Sequence, residues 1–337
     1  MRHGRPVLIL GGSGQAGSGT ARLLRHWYPE LPLTVAGRDL GRARRVVGEL
    51  GAATAVTVDL GRDDLGLPAG PEYGAVVATL WDDRLNGLEY ARRLGVPYVS
   101  LSSSLPDIGV EVVAGLQRPV PLLLASQWCA GVLSLAVLDL AREFGRVDAV
   151  RIAAVLDGSD TGGPAGVADL ERWSTVTSAG LERRDGRFIW VDGPEADVEV
   201  PTLDGRVLIG RSTPVLDVPS LALATGARDV RFAFAVGESE GSRRGAGPSV
   251  EMRIDLRGTG TDGAPRRVTR ALVHPEGQRP LTALGLALGV ERLLGLRGDG
   301  PAAPGLYTPE TLIDPVYAGE RLGEIGARWV EVGVGVG

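Results

Sequence analysis

The tightest constraint on this chain is a cluster of glycines set between a short buried strand and a helix. Val7-Leu8-Ile9-Leu10 is apolar at every position, as a strand covered on both faces of a parallel sheet must be. It runs into Gly11-Gly12-Ser13-Gly14-Gln15-Ala16-Gly17, and residues 18–26 then read as a helix. The spacing Gly12-x-Gly14-x-x-Gly17 in that setting is the fingerprint of a dinucleotide-binding turn. Gly12 is expected to permit the tight turn, Gly14 to let backbone approach a pyrophosphate, and Gly17 to let helix and strand pack closely. Ser13, Gln15 and Ala16 fill the loop, and the N–H groups at a helix start favour an anion. The alternative is a plain turn in a glycine-rich protein: 50 of the 337 residues are Gly, about twice the usual ~7%.

Beyond the loop, strand and helix patterns alternate. Residues 33–37, 55–58, 74–79, 97–100 and 121–125 read as strands, and 40–50, 84–94 and 109–116 as helices. This alternation predicts an α/β fold, a Rossmann doubly wound parallel sheet over roughly the first 126 residues. The middle differs: residues 147–156, 187–191, 198–200, 206–209, 230–236 and 249–256 read as strands joined by long turns, which suits a mixed or antiparallel sheet in a second, α+β domain. Residues 281–296 return to a helical apolar pattern broken by Gly285 and Gly289, and 330–337 alternate valine with glycine as a tail that frays unless a sheet edge receives it.

The second strand ends in Gly37-Arg38-Asp39. An acidic residue there would take the ribose 2′-hydroxyl of NAD, whereas arginine pairs with the 2′-phosphate of NADP and stacks on adenine. Arg38 stands first, with Arg42 and Arg44 one turn on, so NADP(H) is the expected cofactor; Asp39 reaching the ribose is the alternative. Asp59 and Leu60 close the third strand on the adenine side, and Thr79, Leu80 and Trp81 close the fourth towards the nicotinamide ribose. Asp59 and Trp81 have an equal claim as capping or packing residues.

Composition removes several chemistries. There is no lysine, so Schiff-base and pyridoxal-phosphate chemistry, a P-loop lysine and a Tyr-x-x-x-Lys pair are excluded. A net charge of −5 gives no support for nucleic-acid binding. The single Cys129 forbids an internal disulfide, and with three histidines no metal cluster is expected. The apolar run 7–10 meets Gly11 too early for a signal peptide, and no stretch approaches the ~20 apolar residues of a membrane span, so a cytoplasmic protein away from membranes is expected.

The residues Val7 to Gly17, Ala36-Gly37-Arg38-Asp39 and Gly95-Val96-Pro97-Tyr98-Val99-Ser100 resemble the saccharopine dehydrogenase-like (saccharopine reductase-type) family. Ser126-Gln127-Trp128-Cys129-Ala130-Gly131-Val132 stands where that family carries a G-x-x-P-G-L turn into a long helix, and Gly305-Leu306-Tyr307-Thr308-Pro309-Glu310 is similar to its closing G-x-x-x-P-E segment. Ser100 replaces the family's frequent aspartate, and Ala130 its proline. The resemblance implies a Rossmann domain over 1–130, an inserted substrate and dimerisation domain over 131–280, and C-terminal helices over 281–337 returning to the first domain. It also implies a homodimer, NAD(P)(H), and reduction of C=N bonds joining amines and carbonyl compounds; relatives reduce C=C bonds as trans-acting enoyl reductases, and others have no established activity.

Imine reduction calls for a proton donor or a site favouring positive charge at nitrogen. Tyr98, Asp107 and Cys129 are the catalytic candidates by position, with Asp157 and His274 behind them. Each has a structural alternative: Asp107 as an N-cap after Ser102-Ser103-Ser104, Cys129 as a buried hydrophobe, Asp157 and Asp160 as turn formers, His274 as a surface turn residue. His3 and His26 read as structural, and Arg151, Arg211 and Arg231 are candidates to clamp a substrate carboxylate. The expectation is an NADP(H)-dependent oxidoreductase acting on a C=N bond of an amino-acid-derived or specialised small molecule. A C=C reductase and a cofactor-binding protein without turnover are the alternatives.

Overall fold

A computed structural model describes residues 4–68, 72–101, 105, 107–117, 119–160, 167–168, 171–172 and 176–332. His3, Ser102, Ser103 and Ser104 lie outside them, as do residues 333–337 of the tail. The chain forms two compact units: Met1–Ala130 with Thr282–Ile313, and Gly131–Leu281 with Asp314–Gly337.

The first unit is built on a seven-stranded sheet. Its strands are β1 (Val7–Leu10), β2 (Leu33–Gly37), β3 (Ala53–Thr57), β4 (Ala75–Ala78), β5 (Tyr98–Ser100), β6 (Pro121–Leu124) and β15 (Gly305–Tyr307), in the order β15-β6-β5-β4-β1-β2-β3. Every pairing is parallel. This is the doubly wound Rossmann arrangement expected from the alternation of patterns, with its switch of direction between β1 and β4. Strand period divides each apolar run between two cores. Val7 and Ile9 pack with α1 (Gln15–Trp27), α2 (Leu40–Leu50) and the helix Arg279–Leu294, while Leu8 and Leu10 pack with α3 (Asn86–Leu94) and Tyr98. The helix Arg279–Leu294 runs through Gly285 and Gly289 without a break. Both glycines are there for close approach: a Cβ on Gly285 would sit 2.5 Å from the Ala130 carbonyl oxygen, and one on Gly289 would collide with Leu123.

The second unit holds a nine-stranded mixed sheet. Strands β7 (Phe144–Asp157), β12 (Asp229–Gly237), β13 (Val250–Gly260) and β14 (Pro265–His274) form its centre. Strands β10 (Asp197–Pro201) and β11 (Val207–Ser212) extend it on one side, β16 (Arg328–Glu331) closes the other, and the hairpin of β8 (Gly180–Arg184) and β9 (Arg187–Val191) pairs with β12. Among the described residues only β7 and β12 run parallel; the other pairings are antiparallel. The polar C-terminal segment is shared out. Residues 282–313 belong to the first unit, but the helix Pro315–Glu324 packs on α5 (Val132–Ala141) and β16 pairs with β14, so 314–332 belong to the second. Strands β8, β14, β15 and β16 and the helix Asp217–Thr225 lie outside the segments expected from the sequence.

Among the described residues no helix is long and apolar enough to cross a membrane.

Candidate functional site

The glycine loop lies at the carboxyl end of β1, next to the switch point, where ligands of open parallel sheets bind. Its left-handed residue is Gly11, with φ +76°. Gly12, expected to permit the turn, is needed for proximity instead: its N–H donates to the Ile9 and Ala36 carbonyls at 3.1 and 3.0 Å, and a Cβ would lie 2.8 Å from the Ile9 oxygen. A Cβ on Gly17 would lie 2.6 Å from the Gly11 oxygen and 2.7 Å from the Gly12 Cα, so α1 can meet the loop only through glycine. Gly14 differs from both. It is the extended N-cap of α1, makes no side-chain cap, and a Cβ there would meet only the Gly11 oxygen, at 3.1 Å. The loop is therefore closed against the protein at Gly12 and Gly17 and open at Gly14. Ser13 packs by Gly37 at the tip of β2, while Gln15 and Ala16 open α1.

Three neighbouring strand tips surround the loop. Arg38 follows β2, is exposed, and makes no hydrogen bond or ion pair among the described residues. Asp39 caps α2: its Oδ1 accepts the Arg42 N–H at 3.0 Å, and that bond holds its carboxyl below the usual carboxylate range. Asp59 is likewise committed to its own turn, accepting the Gly61 N–H at 2.8 Å, and the Leu60 carbonyl takes Asn86 Nδ2 at 2.7 Å. Thr79 staples β4 to β1, its hydroxyl donating to the Leu10 carbonyl at 2.9 Å beneath Gly11 and Gly17. Leu80 packs on Gly11, and Trp81 is 40% exposed.

The catalytic candidates separate. Tyr98 is fully buried at the start of β5, away from the carboxyl edge, and its hydroxyl donates to Asp82 Oδ2 at 3.2 Å. Asp82, itself buried, also accepts the Asn86 and Gly87 N–H groups and anchors α3. Burial, with Asp82 and Glu111 adding to it, pushes the Tyr98 phenol well above its ordinary value. Tyr98 is therefore a buried packing residue whose hydroxyl is engaged by Asp82. Asp107 immediately precedes α4 (Ile108–Gln117), and its carbonyl accepts the Val110 N–H at 3.1 Å. Cys129 is buried in the turn Trp128–Gly131, where Cys129, Ala130 and Gly131 are all left-handed, with φ of 53°, 53° and 84°. Two consecutive non-glycine residues in that region store strain, as residues near functional sites often do.

His274 is also removed. It is buried, with Nε2 2.8 Å from the Ile325 carbonyl and Nδ1 accepting the Glu276 N–H, which defines one neutral tautomer, and burial lowers its pKa. Asp157 and Asp160 are buried acceptors: Asp157 takes Ser159 and Ser239, and Asp160 takes the Gln278 N–H at 2.9 Å. Arg211 pairs with Asp197. Ser100 was noted in the sequence only as a departure from the resembled family, and Glu111 was passed over. Ser100, at the carboxyl end of β5, donates its hydroxyl to Glu111 Oε1 at 2.6 Å, and both are buried. Ser100 has a carboxylate brought to it by α4; a glutamate within the mostly apolar helix Ile108–Gln117 was the available signal.

No protein-family profile matches the chain, and no curated protein sequence matches it. Solved structures do. Saccharopine dehydrogenase (L-Glu forming) from Saccharomyces cerevisiae superposes with a TM-score of 0.66 at 12% identity, over 97% of this chain and 100% of that one. A probable dehydrogenase from Thermotoga maritima gives 0.51 at 13% identity, over 96% and 98%. At such identities the likeness is one of fold, and the chain has a saccharopine dehydrogenase-like fold.

Proposed function

We propose that the protein is an NADP(H)-dependent oxidoreductase acting on the C=N bond of an imine or secondary amine in an amino-acid-derived or specialised small molecule. The observation that carries this reading is the loop closed at Gly12 and Gly17 and open at Gly14, at the carboxyl end of β1 beside the switch point. Those residues fit a dinucleotide: the start of α1 has no side-chain cap, so its N–H groups are offered to a pyrophosphate. Arg38, exposed and uncommitted, suits a 2′-phosphate, whereas Asp39 already serves as an N-cap. Asp59 and Leu60 would flank the adenine, and Leu80 and Trp81 the nicotinamide ribose.

The bound cofactor supplies or accepts the hydride; the chain supplies orientation and the proton. With Tyr98 engaged by Asp82, the proton falls to Asp107 or Cys129, and Ser100 with Glu111 places a buried carboxylate at the carboxyl end of β5. The choice of C=N over C=C rests on the resemblance in sequence and the saccharopine dehydrogenase-like fold, as does a homodimer, which sedimentation would read. Titration with NADPH and NADH, followed by tryptophan-to-nicotinamide energy transfer, tests the cofactor. NADPH is expected to bind more tightly, and Arg38→Ala to cost NADPH about tenfold or more while sparing NADH. Equal losses for the two nucleotides would remove the 2′-phosphate assignment. Oxidation of bound NADPH by mixtures of amines and carbonyl compounds, but not by enoyl thioesters, tests the reaction.

A further inference from the structure

Arg231 of β12 stands in register with Arg151 of the parallel strand β7. Like charges directly opposite one another destabilise a sheet. The row continues on both sides: Glu182 of β8 is opposite Arg231, Asp255 of β13 is opposite Arg151, and Thr269 of β14 is opposite Asp255. All five share one face, because in-register neighbours project the same way; one residue along, Phe232, Ile152 and Ile254 point to the other face and are buried.

Of the two acids of the row, Asp255 is held by other groups, while Glu182 gives one oxygen to Arg184 and acts on Arg231 only through its charge. Glu182 accepts from Arg184 Nε at 2.8 Å. Asp255 accepts from Arg253 Nε at 3.0 Å and from the Thr269 hydroxyl at 2.5 Å, with Arg267 at 3.4 Å. Neither the Arg151 nor the Arg231 side chain makes a hydrogen bond or ion pair among the described residues. Arg151 is exposed and Arg231 half-buried, and burial draws the Arg231 guanidinium below its ordinary pKa, with Glu182 opposing and Arg151 adding. Ala149 and Ala153 flank Arg151 on the same face, so no bulky side chain of β7 occupies the space beside it. In a chain of net charge −5, this is a local arrangement and not a generally basic surface.

We propose that Arg231 and Arg151 form a binding site for an oxyanion group, carboxylate or phosphate, of a small molecule. Two adjacent guanidinium forks offer paired donors to such a group, and its negative charge would offset the repulsion built into the row. Every residue in the row lies in the second unit, so the site does not depend on the nucleotide reading of the first.

The test is calorimetric titration of the full-length protein with sodium phosphate and, separately, sodium succinate, against sodium chloride at matched ionic strength. Saturable binding of phosphate assigns a phosphate ligand and that of succinate a carboxylate one; either supports the site. Arg231→Gln and Arg151→Gln are each expected to weaken that binding about tenfold or more, while Arg22→Gln, an exposed arginine of the first unit, changes it less than about twofold. In anion-free buffer Arg151→Gln is expected to raise the thermal midpoint, as the like-charge contact is relieved, and to lose the anion-induced rise of the parent. Circular dichroism and NADPH titration check the fold of each variant; if Arg231→Gln misfolds, Arg151→Gln carries the test. Heat that merely follows ionic strength, or binding unchanged in both variants, overturns the proposal. It also fails if sedimentation shows a dimer that the two arginine variants dissociate, because the face would then be an interface between copies.

Discussion

Strand β1 is buried at all four of its residues, whereas β7 alternates, turning Arg151 and Ala153 to one face and Ile152 and Ala154 to the other. The contrast extends to the sheets around them. The parallel sheet of the first unit is covered on both sides by two apolar clusters, with Asp82 and Glu111 buried beside β5 as hydrogen-bonded acceptors. The candidate site proposed for this unit lies at the strand tips, with Gly11 to Gly17, Arg38, Asp59 and Trp81. The mixed sheet of the second unit has one buried face and another on which an apolar cluster around Val155, Ala233 and Ala235 adjoins a row of charge in register across the strands, so a site there would be spread over the sheet and built from residues far apart in sequence. One architecture makes a site from loops, the other from a surface.

The largest effects should separate packing glycines from ligand glycines within the first unit. Gly17→Val places a side chain against the Gly11 oxygen and the Gly12 Cα, and is expected to melt the Rossmann unit at far lower temperature, with nucleotide binding lost alongside. Gly14→Val meets only the Gly11 oxygen, so the thermal midpoint should fall little while binding of both nucleotides falls about a hundredfold or more, the added side chain blocking the pyrophosphate. Equal destabilisation by the two substitutions, read by differential scanning calorimetry, would break the distinction between the closed and open sides of the loop.

In the second unit the strongest lever is Asp157. Burial works against its charge, but hydrogen bonds from Ser159, Ser239 and Ser242 outweigh it and hold the carboxyl well below the usual range. A folded pKa below the unfolded ~3.9 means its contribution is complete above about pH 5 and is lost as pH falls towards the folded value. Asp157→Asn is therefore expected to cost on the order of 2 kcal/mol at neutral pH and to flatten the acid limb of the stability profile. Urea titrations between pH 3 and pH 7 read both; a parallel offset at every pH would show that its charge is not what matters.

How far each unit could be read from sequence follows from the same contrast. The run Val7 to Leu10 and the glycines behind it are local signals, and the structure places them where a Rossmann fold needs them. Strand β14 was passed over because Pro265, Arg266 and Arg267 open it with exposed, charged positions; its identity comes from pairing with β13 across the Asp262-Gly263 turn. Of the candidate site, the loop and the exposed Arg38 were legible as strand-tip features, whereas the burial of Tyr98 was not, because its partner Asp82 lies on another element. Glu111 was hidden for the converse reason: only the packing of α4 brings it to Ser100.

Tyr98→Phe turns that correction into a modest, measurable effect. Asp82 keeps its backbone donors at the start of α3, so a stability loss of about 1 kcal/mol is expected, with the pH dependence of any NADPH oxidation unchanged. Loss of one limb of the pH profile would restore Tyr98 as the acid and undo the separation between core and strand tip.

The smallest effect concerns Asp39, where cap and ligand compete for one carboxylate. As the N-cap of α2 it can be replaced by asparagine, whose carbonyl oxygen accepts the same Arg42 N–H, at almost no cost, while Asp39→Ala should lower the thermal midpoint measurably. Neither change should alter NADH affinity by more than about twofold if the carboxylate serves only the helix. If Asp39 instead reached the ribose, Asp39→Asn would leave stability intact and still weaken NADH. The divergence between a stability series and an affinity series at this one position therefore decides whether the tip of β2 belongs to Arg38 and a 2′-phosphate or to Asp39 and a 2′-hydroxyl.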